Sequence, residues 1–416
     1  MIIVGGTYLE ECGSPRLAGL LGPGLRAAMA ISNVSSVELH TFTGDTELAD
    51  LELTCSTFNI KLHHRLARGL DSSQTIAFEY INALRPCEIS KGVLRKAGRR
   101  NKFKVSGKEV LVLGLAEGTP IITADTVVFE PEEEETLQLS EFGIAGRSKA
   151  KRLAVIMSAK KFRQRLRRRP LRDAAYRIMS EANARVLVVR SEFGGATVFE
   201  DQRTEQLVGP YVTPNWRKLG AGNVFAAVFA HEWAEKGTRV TDAARQACLA
   251  AALYNDGASL PLPAAPLLLP DEAPYLRVPI DREDLPTFRV RLEGGHFGGH
   301  FSYASRRLLR DAYEGLGELF ADVETPVPVS DLNRRPKRLT DQYQALLLLA
   351  DFADREALAE AQWAASVGKP VIVYSEAGDT TSERIVSPGR EFSNDLVTAI
   401  YRTVVAARRH AAGTGP

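Results

Sequence analysis

Between residues 261 and 274 the chain reads PLPAAPLLLPDEAP, five prolines in 14 residues. Proline fixes φ and has no N–H to donate, so neither a helix nor a central strand runs through such a stretch. A linker is therefore expected over 261–286, with one domain over 1–260 and a smaller one over 287–416. On both sides of it, short β-rich runs alternate with helical stretches. In the first part MIIVGG, VELHTF, VLVLGL, TVVFEP, LAVIM and ARVLVV read as strands, and DAAYRIMSE and VFAAVFAHEWAEKG as helices. In the second part FRVRLEGG, QALLLLADF and KPVIVYS are strand-like, and SYASRRLLRDAYEGLGELF and EALAEAQWAASVG are helical. This alternation implies an α/β fold with a parallel sheet between helical layers. Ligands of such sheets sit at the carboxyl ends of the strands.

The charge balance removes several function classes. Lys+Arg 53 against Asp+Glu 51 leaves a formal net charge of +2, so no global field draws the chain to nucleic acid or to an anionic membrane. A hydrophobic fraction of 44% with 25% charged residues excludes a disordered chain, a fibrous repeat and a disulfide-stapled miniprotein. Cys12, Cys55, Cys87 and Cys248 lie far apart without a C-x-x-C pair, which fits a reducing, cytoplasmic setting and not a zinc ribbon. MIIVGGTYLEE lacks the positive n-region of a signal peptide, and no run approaches the length of a membrane span. Charge is nonetheless unevenly placed. Glu130 to Glu135 holds five glutamates around Pro131 and reads as a solvated loop. Residues 147–172 hold twelve Lys/Arg and no acid. That segment is the one stretch expected to touch nucleic acid or phosphate. Its other reading is a solvated amphipathic helix with Phe162 and Leu166 turned inward.

The most informative segment of the first part is Leu219-Gly220-Ala221-Gly222-Asn223, leading into VFAAVFAHEWAEKG and then DAARQACLAAALYNDGAS. Small residues where a loop enters a helix let backbone N–H groups approach an anion. Here the chain resembles the ribokinase/PfkB family of carbohydrate and nucleoside kinases, whose signature is a G-A-G-D loop entering such a helix pair. VGG followed by Glu10 and Glu11, the small-residue helix GPGLRAAMAISNVSS, the turn Thr43-Gly44-Asp45 and VLVVRSEFGGATVF with Gly194 and Gly195 resemble the family's other pieces in order. The resemblance covers about residues 1–260 and implies a ribokinase-like α/β/α sandwich. It also implies a kinase-like pocket at Glu10, Gly44, Asp45, Gly194, Gly195, Gly220, Ala221, Gly222 and Asn223, with ATP and Mg as cofactors if it is active. Two departures matter. Asn223 stands where the family has its general-base Asp, and an amide takes no proton near neutral pH. GPGLRAA also lacks the asparagine that family members often carry there. The expectation is a pocket for a nucleoside, nucleotide or sugar that has lost phosphoryl transfer.

In the second part ALLLLADFADREALAEAQWAASVGKPVIV runs from a buried strand through an acidic turn, Asp351 and Asp354, into a helix carrying Glu360. Taken singly, such carboxylates cap helices and face solvent. Their spacing, ahead of Gly368-Lys369-Pro370-Val371-Ile372, resembles the nucleoside 2-deoxyribosyltransferase family over about 288–410. The resemblance implies a Rossmann-like or flavodoxin-like parallel-sheet domain. It makes Glu360 the nucleophile, Asp354 a sugar-orienting residue and Asp331 of Ser330-Asp331-Leu332-Asn333 the acid for the departing base. Gly294, Gly295, His296 and Phe297 of FRVRLEGGHFGGHFS would lie under the sugar or base, and Asn394 and Asp395 would complete a neighbouring subunit's site, so a homo-oligomer, dimer or higher, is expected. A carboxylate beneath the ring can stabilise an oxocarbenium-like state or form a glycosyl ester. His296 and His300 have no third ligand beside them, so no metal is expected.

Together these readings predict a protein that processes a nucleoside or nucleotide. A kinase-inactive first domain binds the small molecule, and the second cleaves or transfers an N-glycosidic bond without a cofactor. The alternatives are an active sugar or nucleoside kinase with a regulatory C-terminal domain, and a non-catalytic nucleotide sensor.

Overall fold

The computed structural model describes residues 1–13, 16–63, 75–80, 82–84, 88–89, 101–131, 138–166, 170–191, 193–201, 204–216, 219–257, 259–263, 288–294, 303–319, 321–325, 342–376 and 390–413. The chain divides into two compact units, one within residues 1–283 and one centred on 284–416, which also takes in 82–84 and 214–216. The proline-rich stretch from 264 onward lies outside the described residues.

The first unit runs β1 (Ile2–Val4), β2 (Leu9–Cys12), β3 (Leu17–Leu20), α1 (Gly22–Ile31), β4 (Glu38–His40), α2 (Leu48–Thr57), β5 (Lys61–Leu62), β6 (Ala77–Tyr80), β7 (Glu88–Ile89), β8 (Asn101–Val112), β9 (Gly118–Phe129) and β10 (Lys149–Ser158). It continues through α3 (Ala159–Leu166), α4 (Leu171–Ala182), β11 (Val186–Arg190), β12 (Ala196–Glu200), β13 (Thr204–Val208), α5 (Ala221–Ala230) and α6 (Val240–Asn255). Nine strands form one sheet in the order β13-β12-β11-β10-β9-β8-β1-β4-β5. Every pairing from β11 across to β5 is parallel; β12 and β13 are antiparallel. Parallel strands are covered on both faces, which is why VLVV of β11 is buried throughout. Strand side chains alternate between faces. Ile3, Leu39, Leu111, Ile156 and Val188 join the core made with α1, α5 and α6, whose alanines (Ala226, Ala227, Ala243, Ala244, Ala247) allow close packing. Val4, Val112, Phe129, Val155 and Leu187 join the other core, with Phe162, Ala175, Ile178 and Met179 from α3 and α4. The result is the α/β/α sandwich expected from the sequence. A separate sheet has the order β3-β2-β6-β7.

Among the described residues no helix is long and apolar enough to cross a membrane. Cys12, Cys55 and Cys248 are buried. Burial, with Glu52 nearby, pushes the Cys55 thiol from its ordinary 9.0 up to about 12. Native protein is therefore expected to leave Cys55 unmodified by iodoacetamide at pH 8, and urea-unfolded protein to alkylate it fully, as read by peptide mass spectrometry. The sign of the linkage follows: the unfolded thiol ionises first, so this group removes stability as pH rises from about 9 toward 12.

The second unit runs β14 (Arg289–Glu293), α7 (Tyr303–Glu318), β15 (Asp322–Glu324), β16 (Ala345–Leu349), α8 (Arg355–Ser366), β17 (Val371–Tyr374), β18 (Arg390–Ser393) and α9 (Leu396–Ala411). Its sheet is wholly parallel, in the order β15-β14-β16-β17-β18. Counted within the unit this is the doubly wound 2-1-3-4-5 order, with its switch point between β14 and β16. Ala357, Ala361 and Ala364 of α8 seat on Leu346, Leu348, Val371 and Val373. This is the smaller parallel-sheet domain predicted for the second part.

Candidate functional site

Two ion pairs of the first unit lie at the Gly220-Ala221-Gly222 turn that opens α5. Gly220, the residue preceding the helix, has φ +82°, the left-handed region where a side chain is strained. A Cβ on Gly220 would overlap the Arg26 guanidinium, and one on Gly222 would overlap that of Arg190. Two arginines thus press on a helix N-terminus, where N–H groups and the helix dipole already favour an anion.

Each arginine is held by a carboxylate. Arg26, on α1 and 1% exposed, pairs with Glu10 of β2, 4% exposed. Its Nη1 also donates to Asn223 Oδ1 at 3.3 Å. Burial alone would lower the Arg26 pKa; Glu10 and Tyr254 outweigh it and raise it, so the group stays cationic. Arg190, at the end of β11, pairs with Glu130 just past β9 and lies over the Phe225 ring at 5.6 Å. Glu130 and Arg190 sit at strand carboxyl ends, where doubly wound sheets take ligands. Two guanidinium groups and two carboxylates balance in charge, beside a helix N-terminus that favours an anion. It sets an amide, already accepting from a guanidinium, where a proton acceptor is expected.

Of the residues predicted for this pocket, Glu10, Gly220, Ala221, Gly222 and Asn223 come together. Gly44 donates its N–H to Thr75 Oγ1 at 2.8 Å, and Asp45 is exposed. Gly194, with φ +90°, and Gly195 form the tight turn between β11 and β12, closed by Ser191 N–H donating to the Gly195 carbonyl at 2.7 Å. Arg26, Arg190 and Glu130 escaped sequence reasoning. Glu130 is not the solvated loop residue it reads as: its side chain is 14% exposed and paired. The available signal was Arg26 itself, one charge inside the small-residue run GPGLRAAMA.

The basic segment is not one helix. Residues 149–158 are β10, whose apolar LAVIM is buried in the sheet, and only 159–166 form α3, with Phe162 fully buried. Several of its cations have local partners: Arg147 with Glu141, Lys151 with Asp125, Arg165 with Glu181 and Arg172 with Glu205.

In the second unit Asp354 precedes α8 and accepts the Ala357 N–H at 2.9 Å, a helix cap. Glu360 lies further along α8. Its Oε1 accepts the Tyr343 hydroxyl at 2.8 Å and lies 3.7 Å from Arg291 Nη2. Arg291 pairs with Glu293 at 2.9 Å and approaches Glu324 at 3.6 Å. Arg291 is 5% exposed and Glu293 1%. Lys369 Nζ sits 3.8 Å over the Tyr343 ring. Burial, and then the bond to Glu360, push the Tyr343 phenol well above its ordinary range. Asp395 caps α9 by accepting the Thr398 N–H at 2.9 Å, Asn394 is exposed, and Gly294 directly follows β14, half-buried. Asp331, Gly295, His296 and Phe297, with His300, lie outside the described residues.

No family model and no curated protein sequence matches the chain. Among solved structures it is similar to a pyrophosphate-dependent kinase in the ribokinase family, in complex with a pyrophosphate analog and myo-inositol, at 14% identity over 63% of this chain and 97% of that one, TM-score 0.41. It is similar to ribokinase from Thermotoga maritima at 13% identity over 61% and 92%, TM-score 0.39. It is similar to phosphofructokinase-2 from Escherichia coli at 13% identity over 63% and 95%, TM-score 0.43. Against the expectation of an N-glycosidic-bond enzyme, these three proteins are kinases, and their similarity to this chain is one of fold.

Proposed function

We propose that the first unit is a kinase-type domain that binds a small hydroxylated molecule (a sugar, polyol or nucleoside) together with a phosphorylated donor, and that it transfers the phosphoryl group slowly. The observation that supports this most is the Gly220-Ala221-Gly222 turn at the start of α5 with the Arg26 and Arg190 guanidinium groups laid on it. Phosphoryl transfer rests on positioning and on stabilising negative charge, and this cradle supplies both. ATP with Mg, or pyrophosphate, would supply the phosphoryl group. The turn and Arg190 fit its anionic oxygens. Arg26 holds the acceptor side through Glu10 and Asn223. The slow step is proton removal from the acceptor hydroxyl, because Asn223 has no proton affinity to offer. The second unit, whose Glu360 is tied into a hydrogen-bonded cluster, is assigned regulation.

The test is phosphoryl transfer from ATP–Mg and from pyrophosphate to a panel of sugars, polyols and nucleosides, with binding measured in parallel by calorimetry. Turnover well below the roughly 1–100 s⁻¹ usual for kinases is expected with at least one acceptor. Binding of an acceptor with no transfer from any donor would favour a second reading, a ligand sensor. The bond from Arg26 to Asn223 Oδ1 at 3.3 Å is what speaks for it.

A further inference from the structure

At the open edge of the nine-stranded sheet, one face carries a group of metal-ligand side chains outside the kinase-type pocket. β4 and β5 run parallel with Glu38 opposite Lys61. The ladder continues where His63 N–H donates to the Leu39 carbonyl at 2.9 Å, which brings His63 level with His40. Residues two apart on a strand share a face, and neighbouring strands lie about 4.8 Å apart. Glu38, His40 and His63 therefore converge. His40 Nε2 is 3.0 Å from Glu38 Oε1, and the two imidazole centroids are 4.3 Å apart. One ligand atom from each of the three lies within 4.8 Å of the others. His40 is 7% exposed, so its ring is fixed by its surroundings.

Two imidazoles and a carboxylate are the donor set that borderline first-row dications take, at about 2.0–2.2 Å. We propose that Glu38, His40 and His63 bind such an ion, Zn²⁺ foremost, with water completing its coordination. Ligand atoms around a tetrahedral zinc lie about 3.4 Å apart, so side-chain rotation closes the group without moving either strand. Lys61 tunes the site. Its Nζ pairs with Glu38 Oε2 at 2.7 Å, which leaves Oε1 to ligate and sets a repelling charge beside the dication. Mg²⁺ and Ca²⁺, which prefer oxygen sets, are poor occupants. The bound ion would staple β5, an outermost strand of two residues, to β4.

The experiment uses the full chain, stripped with a chelator and titrated with zinc sulfate, with calorimetry and elemental counting of bound metal. Co²⁺ serves as a spectroscopic probe of imidazole ligation, and circular dichroism checks the fold of each variant. The expected result is one Zn²⁺ per chain and a higher melting temperature in the zinc form. Affinity should fall at least about tenfold in His63→Ala and in Glu38→Gln, and rise several-fold in Lys61→Met. Lys61 is 75% exposed, so its replacement keeps the fold and tests the electrostatics alone. Absence of zinc binding by the stripped wild type would overturn the proposal. So would one equivalent held at unchanged affinity in both His63→Ala and Glu38→Gln.

Discussion

Arg26→Met is expected to cost the first unit about 3–5 kcal/mol of stability, read from urea unfolding. The guanidinium is 1% exposed and its partner Glu10 4%. Removing the cation leaves a carboxylate in a closed pocket with its main counter-charge gone, which is far costlier than losing the pair as a whole. Glu10→Gln on top of Arg26→Met should therefore return most of the loss. That recovery separates a buried-charge penalty from simple loss of packing, since the double variant restores no volume. A single variant within about 1 kcal/mol of wild type would mean that Glu10 reaches water once Arg26 is gone.

Asn223→Asp is expected to raise phosphoryl transfer about 100-fold, at the lower end of the roughly 10²–10⁴ that a positioned general base contributes. The lower end follows from the neighbour. Arg26 Nη1 lies 3.3 Å from Asn223 Oδ1, and a carboxylate there would be held below the usual carboxylate range and weakened as a base. Asn223→Ala should transfer no faster than wild type, because the amide is not the proton acceptor. The check is steady-state kinetics of all three proteins with one donor and one acceptor. Equal rates for Asp and Ala would show that proton removal does not limit this site, and would move the domain toward binding without turnover.

The two larger sheets were legible because parallel strands advertise themselves as continuous apolar runs: LAVIM, VLVV, ALLLL and the first half of VLVLGL lie in strands. The glycine turn was legible because its conformational demand falls on neighbouring residues. Three of the charges around it were not: Arg26, Glu130 and Arg190 join Glu10 and Asn223 only through sheet order and helix packing, which no local pattern encodes. The same holds for Glu38, His40 and His63, which register across β4 and β5 unites. The carboxylates of the deoxyribosyltransferase-like spacing also have local partners: Asp354 caps α8, and Glu360 Oε1 accepts the Tyr343 hydroxyl.

The place of β1 has a consequence for how the chain is made. Ile2 pairs with Glu38 on one side and with Val110 on the other. The middle of the large sheet therefore cannot close until roughly a hundred further residues have been added, a wait of about 5–20 s at ordinary rates of synthesis. During that interval Ile2, Ile3 and Val4 have an unpaired backbone edge and no core to enter. A ribosome pausing before Val110 would lengthen that exposure, and a chain released there would carry a sticky strand with nowhere native to go.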